Sequence, residues 1–239
     1  CEGGDLFNLL FENTCLPMAE CECLFKQLMI GLQHLHHIGI AHRDIKPENL
    51  ILTKGGTLKI ADFGVADVVQ TCFEKSPHES FKWCGTEEFW SPEIWSLKGG
   101  QEGYDGKALD IWSAAVSFFC VRYQKLPFTV SFYHPQRVPR SLGTTCRSPA
   151  FLSGCLRGDV NYGQYEAQHK KGPKENSLWD RFGLTTPRIK ECLAAMLDPD
   201  PKTRWTVDQV LDSEWVKGIE VCDDGELPDG YRHCHCLFD

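Results

Sequence analysis

The chain has 239 residues, 42% of them apolar, and a formal net charge of −8. That is enough apolar material for a sizeable core, and the acidic balance argues against a nucleic-acid binder, which would show a basic stripe. There is no run of 18 apolar residues and no basic or apolar leader in the opening CEGGDLFNLL, so neither a membrane-spanning helix nor a signal peptide is expected.

Residues 17–38 carry Leu24, Phe25, Leu28, Leu32, Leu35 and Ile38 at the three-to-four spacing of one buried helical face, closed by Gly39. Two short apolar runs, Leu50–Leu52 and Leu58–Ile60, flank a Lys-Gly-Gly-Thr turn and predict a β-hairpin. Residues 62–90 lack a period and read as a long functional loop. Ala108–Arg122 is apolar nearly all round, the pattern of a buried central helix. Between 130 and 180, loops are expected, with short helices near Ser148–Leu156 and Tyr162–His169. Thr186-Pro187 opens a further helix with Thr as its cap, and Thr206–Gln209 forms a capping box for a last one running through Trp215. The polar tail after Glu220 is expected to be loose.

Of the thirteen cysteines, Cys21, Cys120 and Cys192 sit inside apolar helical patterns, where a reduced thiol packs as a small hydrophobe. Without a secretion signal this points to a reducing, cytoplasmic setting. Cys21 and Cys23 are read as helix packing and surface. The alternating His233-Cys234-His235-Cys236 suggests metal binding, but structural zinc sites draw on two distant ligand pairs, so a disordered tail is the expectation.

The chemistry is concentrated in His42-Arg43-Asp44-Ile45-Lys46-Pro47-Glu48-Asn49. Asp62-Phe63-Gly64 follows thirteen residues after Asn49, and Ser91-Pro92-Glu93 comes later. Each piece alone is a weak signal; in this order and spacing they resemble the protein-kinase signature set of catalytic loop, metal-binding D-F-G and closing A-P-E. The resemblance implies an α+β, protein-kinase-like fold, represented here by its mainly helical C-terminal lobe with a small hairpin. Residues 1–216 would be a partial kinase domain and 217–239 a C-terminal tail. Only 41 residues precede His42, and their single lysine, Lys26, lies in a helical pattern. The N-terminal β lobe, with its glycine-rich loop and phosphate-pairing lysine, is therefore expected to be missing, and this piece alone to be nearly inactive.

The resemblance further implies ATP and Mg²⁺ as cofactors. Asp44 would accept the proton of the substrate hydroxyl, Lys46 would neutralise charge on the transferred group, and Asn49 and Asp62 would hold Mg²⁺. Ile51 would lie beneath adenine, and Asp5, in Gly3-Gly4-Asp5-Leu6-Phe7, would reach the ribose. Lys46 points to protein Ser/Thr substrates, and Thr86 in Cys84-Gly85-Thr86 would bridge Asp44 and Lys46. Glu93 would pair with Arg204, and Asp110 would anchor the catalytic-loop backbone. Arg43 would grip an activation segment phosphorylated by an upstream kinase at Thr71, Ser76 or Ser80. Trp83, Trp90 and Trp95 are expected to pack at the end of that segment.

Leu58–Asp67, Asp159-Val-Asn-Tyr162, Leu197–Pro201 and Trp215 followed by Ile219–Cys222 are similar to fungal kinases of the halotolerance and nitrogen-permease-reactivator group, which regulate plasma-membrane transporters. A calcium/calmodulin-type kinase is the nearest competitor, but no basic amphipathic helix follows residue 216. The rival from another class is a non-catalytic pseudokinase or scaffold lobe. A small-molecule kinase of related fold fits poorly with the long activation segment and Thr86.

Overall fold

The computed structural model of the chain describes residues 4–8, 16–97, 102–134, 158–223, 225–228, 230 and 232–233. The first long helix, α1 (Met18–His37), buries Leu24, Phe25, Leu28, Leu32 and Leu35, but Ile38 falls past its end and is exposed. Gly39 follows with φ +81°, and a Cβ there would run into the Gln70 carbonyl, so only glycine fits this stop. The close approach has a purpose: β1 (Ile40–Ala41) pairs antiparallel with β4 (Asp67–Val68), a strand inside what the sequence shows only as loop.

The hairpin forms as expected from β2 (Leu50–Leu52) and β3 (Leu58–Ile60), with Leu50 opposite Ile60 and Leu52 opposite Leu58. Gly4 and Asp5 run alongside it: Leu52 N–H donates to the Gly4 carbonyl at 2.9 Å, and Asp5 bridges to Ile51. After the short α2 (Pro92–Ser96), the central α3 (Gly106–Tyr123) is buried along almost its whole length, its N-terminus capped by the Asp105 carboxylate.

Beyond it come α4 (Val160–His169), α5 (Ser177–Arg181), α6 (Pro187–Met196), α7 (Val207–Asp212) and α8 (Glu214–Lys217). The helix expected near Ser148–Leu156 lies outside the described residues. Thr186 does hold the N-cap position of α6, yet its side chain makes no capping bond; Pro187 at the first turn starts the helix by its fixed φ. The Thr206–Gln209 capping box is present. The last helix is two, because Ser213 leaves α-geometry at ψ 151° and caps α8 through its own hydroxyl.

One large apolar cluster joins α1, the hairpin, α3 and the later helices, with Trp112, Trp179 and Trp215 among its buried members. Phe25 stacks on Trp215 at 4.9 Å, and Phe118 meets the same ring edge-on at 5.3 Å. A second, smaller cluster of Trp90, Ile94, Leu97, Tyr104 and Leu109, flanked by Trp83 and Trp95, underlies the end of the activation segment, as the tryptophan pattern predicts. Among the described residues no helix is long and apolar enough to cross a membrane.

Two further expectations need correcting. Cys23 is fully buried rather than at the surface. The described residues past Glu220 include packed ones: Cys222 and His233 are buried, and His233 N–H donates to the Gly225 carbonyl at 2.9 Å.

Candidate active site

The catalytic-loop segment is held from below. Asp110, wholly buried near the start of α3, accepts from the backbone N–H of His42 at 2.8 Å and of Arg43 at 2.7 Å. His36 Nε2 approaches the same carboxylate at 2.9 Å, a partner the sequence did not single out. Two amide donors and an imidazole around one buried carboxylate fix the loop's backbone. That backbone includes Arg43 at φ +66°, in the left-handed region. His42 Nε2 reaches the Ala61 carbonyl at 2.8 Å and its ring meets Phe63 edge-on at 5.1 Å, so one buried imidazole spans the two motifs.

Above this support Asp44, Lys46 and Thr86 form a closed ring. The Thr86 hydroxyl donates to Asp44 Oδ1 at 2.8 Å and accepts from Lys46 Nζ at 2.7 Å, while Lys46 Nζ lies 3.1 Å from Asp44 Oδ2. Thr86 is 42 residues from Asp44, and Gly85 makes the approach possible: at φ +83°, a Cβ there would strike the Arg43 carbonyl. Asn49 is buried and turns its Nδ2 to the Asp44 carbonyl at 2.8 Å and to Asp44 Oδ2 at 3.1 Å, leaving Oδ1 as its remaining acceptor.

Asp62 stands across the hairpin. Ala61 N–H donates to the Asn49 carbonyl at 2.9 Å, which sets Asp62 beside the catalytic loop; it is exposed, adopts φ +59°, and accepts from Gly64 N–H at 3.1 Å. An amide oxygen and a carboxylate suit Mg²⁺, a hard ion that keeps several waters and takes its other ligands from phosphates. Asp5 and Ile51 come together through their antiparallel bridge, on the far side of the hairpin's first strand from β3. The Asp5 carboxylate accepts from Asn8 N–H at 2.8 Å and from Asn8 Nδ2 at 2.7 Å, so it starts the helical turn at 6–8.

Arg43, expected to grip a phosphorylated activation segment, has partners within that segment in the unphosphorylated chain. Its guanidinium already pairs with Asp67 at 3.2 Å, and its Nε donates to the Val65 carbonyl at 2.8 Å. Ser80 is buried and donates to the same carboxylate oxygen that Arg43 meets, Asp67 Oδ2, at 2.6 Å. Thr71 and Ser76 are exposed.

A cavity of about 630 Å³ opens next to the ring, lined by Phe7, Pro47, Glu48, Thr86, Glu88, Phe89, Cys120, Gln124, Lys125 and Leu126. Burial, with the Glu48 charge adding to it, pushes the Cys120 thiol up to about 12, so it stays protonated at neutral pH.

The segment closes on Glu93, whose carboxylate meets Arg204 in a two-bond fork, Oε1 to Nη1 at 2.7 Å and Oε2 to Nη2 at 2.9 Å. Arg204 also donates to the Ala108 carbonyl at 3.0 Å and the Asp198 carbonyl at 3.0 Å, and lies 5.2 Å from the Trp112 ring centre.

Comparison with known families matches residues 1–216 to the protein kinase domain. The chain belongs to that family. It is similar to the serine/threonine-protein kinase hal4 of Schizosaccharomyces pombe, 33% identical over 94% of this chain and 31% of that protein. The serine/threonine-protein kinase HAL4/SAT4 of Saccharomyces cerevisiae is 34% identical over 94% of this chain and 32% of its own length. The nitrogen permease reactivator protein of the same yeast is 28% identical over 98% of this chain and 32% of its own. These relatives bear out the resemblance to the halotolerance and nitrogen-permease-reactivator kinases. The chain spans about a third of the length of the curated relatives it matches.

Proposed function

We propose that the protein carrying this chain transfers the γ-phosphoryl group of ATP to serine or threonine hydroxyls of other proteins, and that the Asp44–Thr86–Lys46 ring is where the acceptor is held. The ring is the observation that carries the reading. It brings a carboxylate, an ammonium and a hydroxyl from distant parts of the chain within hydrogen-bond reach, with Thr86 in the wall of the adjoining cavity. A non-catalytic scaffold leaves this arrangement unexplained.

Bound Mg²⁺ and ATP supply the group that moves and the counter-charge for it, through a loose transition state that needs positioning more than covalent help. Asn49 Oδ1 and the Asp62 carboxylate would hold the ion, with Ile51 beneath adenine and Asp5 reaching the ribose. The Asp44 carboxylate orients the incoming hydroxyl and takes its proton. Lys46, pinned by Thr86, keeps a positive charge beside the site of transfer. Glu48 and Glu88 in the cavity wall favour a basic side chain near the acceptor. The named relative that reactivates a permease makes transport proteins a reasonable substrate class to test.

Asp67 bears on activation. Its carboxylate pairs with Arg43 Nη1, so a phosphate on Thr71 or Ser76, the exposed hydroxyls an upstream kinase could reach, would compete with it for the guanidinium.

The test uses affinity-tagged native protein. With ATP and Mg²⁺ it is expected to phosphorylate Ser/Thr peptides and not Tyr peptides, and the Asp44→Asn protein to lose at least ~10²-fold in kcat. The 239-residue chain alone is expected to show negligible transfer. Equal activity of the native and Asp44→Asn proteins would end the proposal.

A further inference from the structure

Where the tail meets α1, beside a cavity that Cys222 shares with β3 and Phe63, three soft ligand atoms converge from opposite ends of the chain. Cys23 lies in the middle of α1; Cys222 and His233 come from the tail. Their Sγ, Sγ and imidazole nitrogen atoms all lie within 4.8 Å of one another, and all three residues are buried. The two sulfurs are 3.5 Å apart. That is too long for a disulfide, whose sulfurs sit about 2.05 Å apart. It is close to the separation of about 3.8 Å that two thiolates take when each is about 2.3 Å from a tetrahedral zinc.

The protonated Cys23 thiol donates to Cys222 Sγ, and both sulfurs have N–H groups within reach. Cys23 Sγ receives the Cys222 backbone N–H at 3.4 Å and Gln27 Nε2 at 3.4 Å, and Gln27 Nε2 also lies 3.7 Å from Cys222 Sγ. A neutral thiol is a weak acceptor, whereas metal-bound thiolates gather N–H donors of this kind. Gln27 is itself oriented: its Oε1 accepts from Leu58 N–H in β3 at 2.8 Å.

The tail is folded to present its ligands. Asp223 bridges to Glu226 and Glu226 to Arg232, and His233 N–H donates to the Gly225 carbonyl at 2.9 Å, so the eleven-residue step from Cys222 to His233 turns back on itself. Just before it, Lys26 and Glu22 of α1 hold Ile219 and Trp215.

We propose that Cys23, Cys222 and His233 bind one structural Zn²⁺ that fastens the tail to α1. Two cysteine sulfurs and an imidazole are a soft donor set that suits zinc and excludes Mg²⁺ or Ca²⁺. Binding releases the two thiol protons to solvent as the thiolates form. Three ligands leave one tetrahedral position. Cys234, His235 and Cys236 follow directly in the sequence, lie outside the described residues, and enter only as an arm of the test. The site gives the tail a role that the chemistry of the catalytic loop does not use: it closes the chain end onto the helix that leads into β1 and His42.

The experiment is metal analysis of the full chain, purified with reductant and without chelator. The expected result is one zinc per chain, released by a strong chelator with a lowered Tm. Co²⁺ added to the stripped protein should give the intense thiolate-to-cobalt charge-transfer absorption. Cys23→Ser and Cys222→Ser should each lower zinc affinity at least tenfold. His233→Cys should keep it, and Cys72→Ser, which changes an exposed thiol of the activation segment, should leave it unchanged. Cys234→Ser, His235→Ala and Cys236→Ser then locate the fourth ligand. The wild-type measurements stand even where a variant fails to fold. Protein that retains no zinc and, once reduced, shows no cobalt–thiolate absorption would overturn the proposal. So would a Cys23–Cys222 disulfide in zinc-free protein whose thiols were blocked at lysis.

Discussion

Removing the carboxylate of Glu93 tests how the activation segment is tied to the core. The Arg204 side chain is wholly buried and that of Glu93 is 14% exposed, so the fork is shielded from solvent and salt. Glu93→Ala deletes two charge-assisted bonds and leaves the guanidinium with only the Ala108 and Asp198 carbonyls. Charge-assisted bonds are worth about 1.5–3 kcal/mol each, and breaking one side of a buried pair costs about 3–5 kcal/mol; the two routes agree. For a chain of this size about 1 kcal/mol moves Tm by roughly 2–4 °C, so Glu93→Ala should melt about 6–20 °C lower by circular dichroism. The double variant Glu93→Leu/Arg204→Met removes the stranded charge. It should lose less than the two single losses added together, though not recover fully, because the Ala108 and Asp198 carbonyls lose their donor. A Glu93→Ala shift below about 2 °C, or a double variant whose loss equals the sum, would refute the reasoning.

Thr86→Ala removes both hydroxyl bonds of the ring and should lower kcat of the native kinase by about 10–10²-fold, with Thr86→Ser largely restoring it; an unchanged kcat would remove Thr86 from the site. Glu48→Gln should raise KM for peptides with a basic residue near the acceptor more than for neutral ones, read from paired peptide kinetics. Burial holds the His169 imidazole below its usual 6.5, only partly offset by Asp198 at 3.7 Å. The unfolded chain therefore binds the proton first, and stability should fall as pH drops below about 6.5 and level off under the lowered folded value. In His169→Gln the urea midpoint should lose part of that slope. Burial also pushes the Cys192 thiol up to about 12, so brief alkylation at neutral pH should label exposed Cys72 well before Cys192 or Cys120, as peptide mass spectrometry would show.

Much of the site was legible because its residues are close in sequence. Asp44, Lys46 and Asn49 fall within six positions, and the hairpin that carries the chain from Asn49 to Asp62 announces itself by two apolar runs around a Gly-Gly turn. The long helices were equally plain, since burying one face writes a period into the sequence. The pairing of β1 with β4 was not: two-residue strands carry no period, and only the glycine at 39 hints at the contact with Gln70. Nor could Ser80 be separated from Thr71 and Ser76, because all three are hydroxyls in one polar loop and only packing buries the first beside Asp67.

The sequence alone determined the motifs that mark the family, whose residue types stand at short fixed spacings, and the helices whose apolar stripes build the core. Tertiary structure alone decided what meets across long intervals. It seated Asp67 on Arg43, wrapped His36 and two amides around Asp110, and carried Cys222 across 199 positions to Cys23. Such contacts leave no periodic trace, because a side chain's partner is set by how the helices pack and not by its neighbours in the chain.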